Sequence, residues 1–266
     1  VTSEISWEDF KFSVNELLEK ASADGTTILF RGHASSSWKL DTTLQRSEHY
    51  EEVSDYYRLI LRIKSEVQAL TENSWLDEPN FSILEPKILN DYDSFNRTFN
   101  FGNLPHYAYM VYLRHHGFPS PLLDWSASPF VAAYFAFYSV TEESVAIFAF
   151  RDRAAGGFKV GGSDSPSITQ LGPYVLGPKR HFSQQSQYTI CTSWGGGRPL
   201  FADHSEVCQP YDPEAKFQQD VVFKFVIANS ERKKALKELQ RYNLSAFTLF
   251  GSEDSLMESL SIREEP

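Results

Sequence analysis

Apolar residues recur at helical spacing from the start of the chain. Trp7, Phe10, Val14, Leu17 and Leu18 form one stripe over Ser6 to about Ser22. Ser6, with Asp9 three residues later, has the form of a capping box, and Asp24-Gly25 ends the helix. The pattern then changes to the β-branched and apolar run Thr26-Thr27-Ile28-Leu29-Phe30. This predicts a buried strand with Arg31-Gly32 at its C-terminal end. After a polar loop, Trp38 and Leu40 re-enter the interior. Val53, Tyr56, Tyr57, Ile60, Ile63, Val67 and Leu70 mark a long helix over Glu51 to Glu72. Residues 73–103 carry mixed signals and assign no element. Tyr107, Met110, Val111 and Leu113 predict a helix over Leu104 to His116.

The densest stretch follows. Gly117, Pro119 and Pro121 force a tight turn, Leu122-Leu123 return to the interior, and Asp124-Trp125 follow directly. Ser128-Pro129 is a helix start, and the helix after it, ending near Tyr138, is apolar nearly all round and so buried. Strands are predicted at Ser144–Phe150, Tyr188–Thr192, Val221–Ala228 and Ser245–Phe250. Arg151 to Arg180 and Trp194 to Gln219 read as loops. Ser230 to Tyr242 reads as an exposed helix capped by Ser230, and Ser252 starts a last short helix. No repeat or linker divides residues 1–266. The expectation is one α+β domain, with a helical half (1–140) against a strand-rich half (141–266) and a mainly antiparallel mixed sheet.

Composition narrows the function. A net charge of −10 argues against a broad basic surface for nucleic acid or anionic membrane, though not against a local basic pocket. Aromatic residues make up 15% of the chain, which suits a packed core with aromatic-lined clefts. Cys191 and Cys208 are the two cysteines, with no Cys-x-x-Cys spacing, so neither a disulfide scaffold nor a zinc ribbon is expected. There is no apolar run of membrane-spanning length and no signal-peptide pattern, so a cytoplasmic location is expected.

An arginine beside a buried strand is costly unless it is paired or holds an anion, so Arg31 is either a ligand contact or the ion-pair partner of Asp124. Gly32, with no Cβ in the way, would let the backbone approach a ligand closely. Trp125 reads as a stacking platform or a core residue. Adjacent His115 and His116 point about 100° apart on a helix, which is poor for one shared metal, so no metal site is expected.

The run His116-Gly117-Phe118-Pro119-Ser120-Pro121-Leu122-Leu123-Asp124-Trp125-Ser126, with Ser128-Pro129, resembles the signature of the FRG domain family. Phe30-Arg31-Gly32 matches the Phe-Arg-Gly of its name, and Arg180, Gln184, Gln185 and Tyr188 resemble a third family segment. The resemblance spans about Trp7 to Leu256. Pro121 stands where the family usually has Arg, and Ser186 where it usually has Gly. A strand ending in Arg-Gly is also similar to the first motif of ADP-ribosyltransferases. That more distant resemblance implies an ADP-ribosyltransferase-like fold and an enzyme that cleaves the nicotinamide–ribose bond of NAD as substrate. It would pass ADP-ribose to a protein, a nucleic acid or water, and such a protein would fit a bacterial toxin or anti-phage effector. On this reading Arg31, Asp124 and Gln185 are the catalytic set, while Arg31, Gly32, Trp125 and Ser126 bind NAD. Gln185 takes the place of a carboxylate, with Glu253 or Asp254 as nearby acids. The rival expectation is a noncatalytic module that binds a nucleotide or an RNA end in the same cleft.

Overall fold

The computed structural model describes residues 4–47, 50–71, 73–75, 79–100, 104–139, 142–153, 159, 165–172, 179–215 and 218–264. In chain order the elements begin with helix α1 (Trp7–Ala23), strand β1 (Ile28–His33), then α2 (Val53–Thr71), α3 (Phe81–Leu84), α4 (Tyr92–Asn100) and α5 (Tyr107–His115). Strand β2 (Leu123–Ser126), α6 (Pro129–Tyr138), β3 (Ser144–Arg153), β4 (Ser167–Leu171), α7 (Lys179–Ser183) and β5 (Ser186–Gly195) follow. The chain ends with β6 (Arg198–Phe201), α8 (His204–Val207), β7 (Gln209–Pro210), β8 (Gln219–Ala228), α9 (Arg232–Arg241), α10 (Ala246–Phe250) and α11 (Glu253–Glu264).

The eight strands make one curled sheet in the order β4-β5-β2-β1-β3-β8-β7, with β6 also on β5. All pairs are antiparallel except β7 with β8. The α+β expectation and the mainly antiparallel sheet therefore hold. The sheet has a seam. β1 pairs with β3 along its whole length, and β2 pairs with β5 along its whole length, but β1 meets β2 only at Phe30–Ser126.

Three apolar clusters follow from strand alternation. Phe30, Val145, Ile147 and Ala149 face α1, α6, α9 and α10. Tyr188, Ile190 and Leu171 face the α2–α5 layer. Leu29, Leu123, Trp125, Phe148 and Phe150 fill the opposite side. Helix α6 buries seven of its ten residues, as its all-round apolar sequence predicts, and Ser128 caps it through the Val131 N–H at 3.3 Å.

Several local expectations change. Arg31 and Gly32 are not at a strand end, since β1 continues to His33. Ser245–Phe250 is not a strand: Ser245 and Thr248 form a capping box, and Ala246 and Leu249, one turn apart, bury the helix α10. A short apolar run alone does not separate the two states. Ser230 lies in a 3-10 turn and does not cap α9, whose N-cap is Glu231, and α9 is not exposed throughout because Ala235, Leu236 and Leu239 are buried. The segments read as loops contain β4, β6, α8 and β7. Residues 154–158, 160–164 and 173–178 of the first of these lie outside the described residues. Both cysteines are free thiols. Among the described residues no helix is long and apolar enough to cross a membrane.

Candidate functional site

Along β1, side chains alternate between faces, so Arg31 and His33 share the face of Leu29, while Phe30 and the bare Gly32 face α6. Where the β1–β2 ladder stops, the Arg31 guanidinium spans the gap. Its Nη1 donates to the Asp124 backbone carbonyl oxygen at 2.6 Å and to Asp124 Oδ1 at 2.7 Å. Its Nε donates to His33 Nε2 at 2.9 Å, which fixes that ring nitrogen as the acceptor. Arg114, in the last turn of α5, donates from Nη2 to the same Asp124 Oδ1 at 2.5 Å. The Nε of Arg114 is buried with no partner among the described residues. Exposed Arg46 lies close enough to act on both Arg31 and His33.

Burial opposes the charge on Asp124, but Arg31 and Arg114 outweigh it and hold the carboxyl well below the usual carboxylate range. The two guanidinium side chains are 13% and 17% exposed, whereas the Asp124 side chain is 45% exposed. Asp124 therefore meets solvent, while the two guanidiniums that hold it are mostly covered. Two arginines sharing one carboxylate leave a net positive site floor in an acidic protein.

Asp124 stands opposite Tyr188 in the β2–β5 register. The Tyr188 hydroxyl bonds His115 Nε2 at 2.8 Å and His181 Nδ1 at 3.3 Å, and Arg180 donates to the His115 backbone carbonyl oxygen. Burial raises the Tyr188 phenol and, with Arg180, lowers His115 to about 4, so the Tyr188 and His115 side chains are uncharged at neutral pH.

The structure thus joins Arg31 to Asp124, as the sequence led us to expect, and adds Arg114. It places the other candidates differently. Trp125 is 4% exposed, lies 5.4 Å from the Phe150 ring and donates its indole N–H to Thr189 Oγ1 at 2.8 Å, which makes it a core residue. Ser126 is buried, its hydroxyl donating to the Gln184 carbonyl oxygen at 2.8 Å and accepting from the Ser128 N–H at 3.0 Å. Gly32 backs directly onto α6. Gln185 is exposed, with φ 49°, in the turn before β5, and its carbonyl oxygen accepts from the Ala127 N–H at 3.0 Å. Glu253 and Asp254 are exposed in the first turn of α11. No group of three or more His, Cys, Asp or Glu among the described residues is placed to hold a metal.

The three charged residues Arg31, Arg114 and Asp124 fall within a family match. Residues 26–144 match the model of the FRG domain family. This supports the FRG family for the stretch from β1 to the start of β3. No curated protein and no solved structure matches the chain. The FRG stretch holds Arg31, Arg114 and Asp124, while the β5 wall with Tyr188 and Gln185 lies outside it.

Buried histidines around this site make stability acid-sensitive. Burial lowers His33 to about 3, His204 to about 3 and His115 to about 4. Unfolded histidine titrates near 6.5, so below that pH the unfolded chain binds more protons and stability falls. Asp124 adds to the loss only at stronger acid, since its folded carboxyl is depressed and its contribution is complete above the unfolded value near 3.9. The urea midpoint is expected to drop steadily from pH 7 to pH 4.5. A midpoint that is flat over that range would mean these histidines are charged in the fold.

Proposed function

We propose that the seam cleft binds NAD and that the protein is an ADP-ribosyltransferase-like enzyme cleaving the nicotinamide–ribose bond. The observation that carries this reading is Asp124: an ionised, solvent-reached carboxylate at the seam, oriented through one oxygen by two guanidiniums. Breaking the C1′–N bond sends the bonding pair to the nicotinamide nitrogen and leaves an oxocarbenium-like ribose. A fixed negative charge beside it favours that state. The open lone pairs of the carboxylate suit a ribose hydroxyl donor. Because it stays ionised at neutral pH, Asp124 would act by charge and hydrogen bonding, not as a proton donor. The remaining N–H groups of Arg31 and Arg114 suit the pyrophosphate. Water or a protein or nucleic-acid nucleophile then attacks C1′ and loses its proton.

A second reading is a noncatalytic nucleotide- or RNA-binding module. It is favoured by the sharing of Asp124 between two arginines, which neutralises much of the charge that catalysis would use. Nicotinamide release from NAD by the purified protein separates the two. The enzyme reading expects turnover that falls on the order of a hundredfold in Asp124→Asn, comparable to loss of one stabilising group. Saturable NAD binding without nicotinamide release would favour the module.

A further inference from the structure

Helix α11 reverses the usual amphipathic order. It buries Ser255 and Ser259, while Leu256 and Leu260 are half-buried and Met257 is 60% exposed. The serines go inward because they tie the helix to the chain before it. The Ser252 N–H donates to Ser255 Oγ at 2.9 Å, and the Ser255 hydroxyl donates to the Ser252 carbonyl oxygen at 2.7 Å. Ser259 Oγ accepts from the Phe247 N–H at 2.8 Å and donates to the Ser255 carbonyl oxygen at 2.8 Å. Phe247 itself, on α10, is 44% exposed. Leucine, methionine and phenylalanine shown together on neighbouring short helices mark an interaction surface.

The neighbouring helix α9 carries the opposite charge. Leu236 and Gln240 of α9 and Ser259 and Ile262 of α11 line one small cavity, so the two helices lie side by side. α9 has five basic residues and one acid, whereas α11 has four carboxylates and one arginine. Lys233, Lys237 and Arg241 follow one another at one-turn spacing, on the side of α9 away from its buried Ala235, Leu236 and Leu239. Glu253, Met257 and Glu264 share the side of α11 away from Ser255 and Ser259. No cation of α9 pairs with a carboxylate of α11 among the described residues.

We propose that this face is a self-association surface whose occupant is a second copy of the chain. A two-fold axis between the helices sets α9 of each copy against α11 of the other, an isologous contact. Basic then meets acidic twice. The lysine and arginine stems cover Leu256, Met257 and Leu260, while their charged heads reach Glu253 and Glu264. A foreign basic segment would match α11 but not the cationic α9 beside it. A second copy matches both. The contact is small and charged, so the dimer is weak and salt-sensitive.

Sedimentation velocity tests this. A dimer is expected at about 0.1 mM protein, dissociating on dilution and in high salt. Met257→Asp sets a charge in the covered strip and is expected to weaken the dimer about tenfold or more, with an unchanged urea midpoint because Met257 is exposed. Lys233→Glu/Lys237→Glu makes both helices acidic, and Glu253→Lys/Glu264→Lys makes both basic. Each of these variants is expected to be monomeric alone, and an equimolar mixture of the two to form a heterodimer. A wild-type chain still monomeric at about 0.5 mM would overturn the proposal and leave the face to a different partner. A wild-type dimer unaffected by Met257→Asp, or a charge-swapped mixture that stays monomeric, would overturn it as well.

Discussion

Gly32→Ala is expected to cost about 3 kcal/mol of stability, the upper end for overpacking, or to prevent folding. A Cβ on Gly32 would lie 1.9 Å from the Ala132 carbonyl oxygen and 2.6 Å from the Ala136 nitrogen. Both are backbone atoms of α6, so no flexible side chain can swing aside. Nor can α6 retreat cheaply, because seven of its residues are buried and Ser128 pins its first turn. The urea midpoint of the Ala variant checks this. A wild-type midpoint would mean that α6 does not rest on β1 as the structure has it. The outcome also bears on function: lost activity in Gly32→Ala would report the packing of α6 and says nothing about a ligand contact at Gly32 unless the folded fraction is measured as well.

Gly32 shows how the sequence informs and where it stops. A glycine inside an apolar strand signals close approach by something, but not whether that something is a ligand or a helix. Here the observed neighbour is α6. The Arg31–Asp124 pair was legible because each charge stands beside residues that must be buried, and buried charges pair. Arg114 was not singled out. A basic residue in the last turn of a helix is already explained by the helix dipole, and only the fold reveals that its guanidinium reaches Asp124. The long helices and central strands carry enough periodic positions to be read. Strands β4, β6 and β7 have five, four and two residues and sit beside Gly-, Ser- and Pro-rich sequence, too short for any pattern. The seam between β1 and β2 is a property of pairing, and no single stretch of sequence encodes it.

Removal of Asp124 tests the seam itself. Asp124→Ala leaves Arg31 and Arg114, both mostly buried, side by side without the oxygen they share. Deleting one partner of a buried ion pair costs about 3–5 kcal/mol. Water reaches Asp124 and will screen part of that repulsion, so a loss of about 2–3 kcal/mol is expected. Arg114→Met should cost less, since Arg31 keeps Asp124 neutralised and also bonds its backbone carbonyl oxygen. The double variant Asp124→Ala/Arg114→Met should then recover part of the Asp124→Ala loss, because it removes one of the two unpaired charges. Urea unfolding of the four proteins gives the cycle. Strict additivity would mean that Arg114 and Asp124 do not act on each other, and the site would reduce to Arg31 alone. Coupling together with retained NAD binding in Arg114→Met would assign Arg114 to holding Asp124. Coupling with lost NAD binding in a folded Arg114→Met would instead make it a ligand contact.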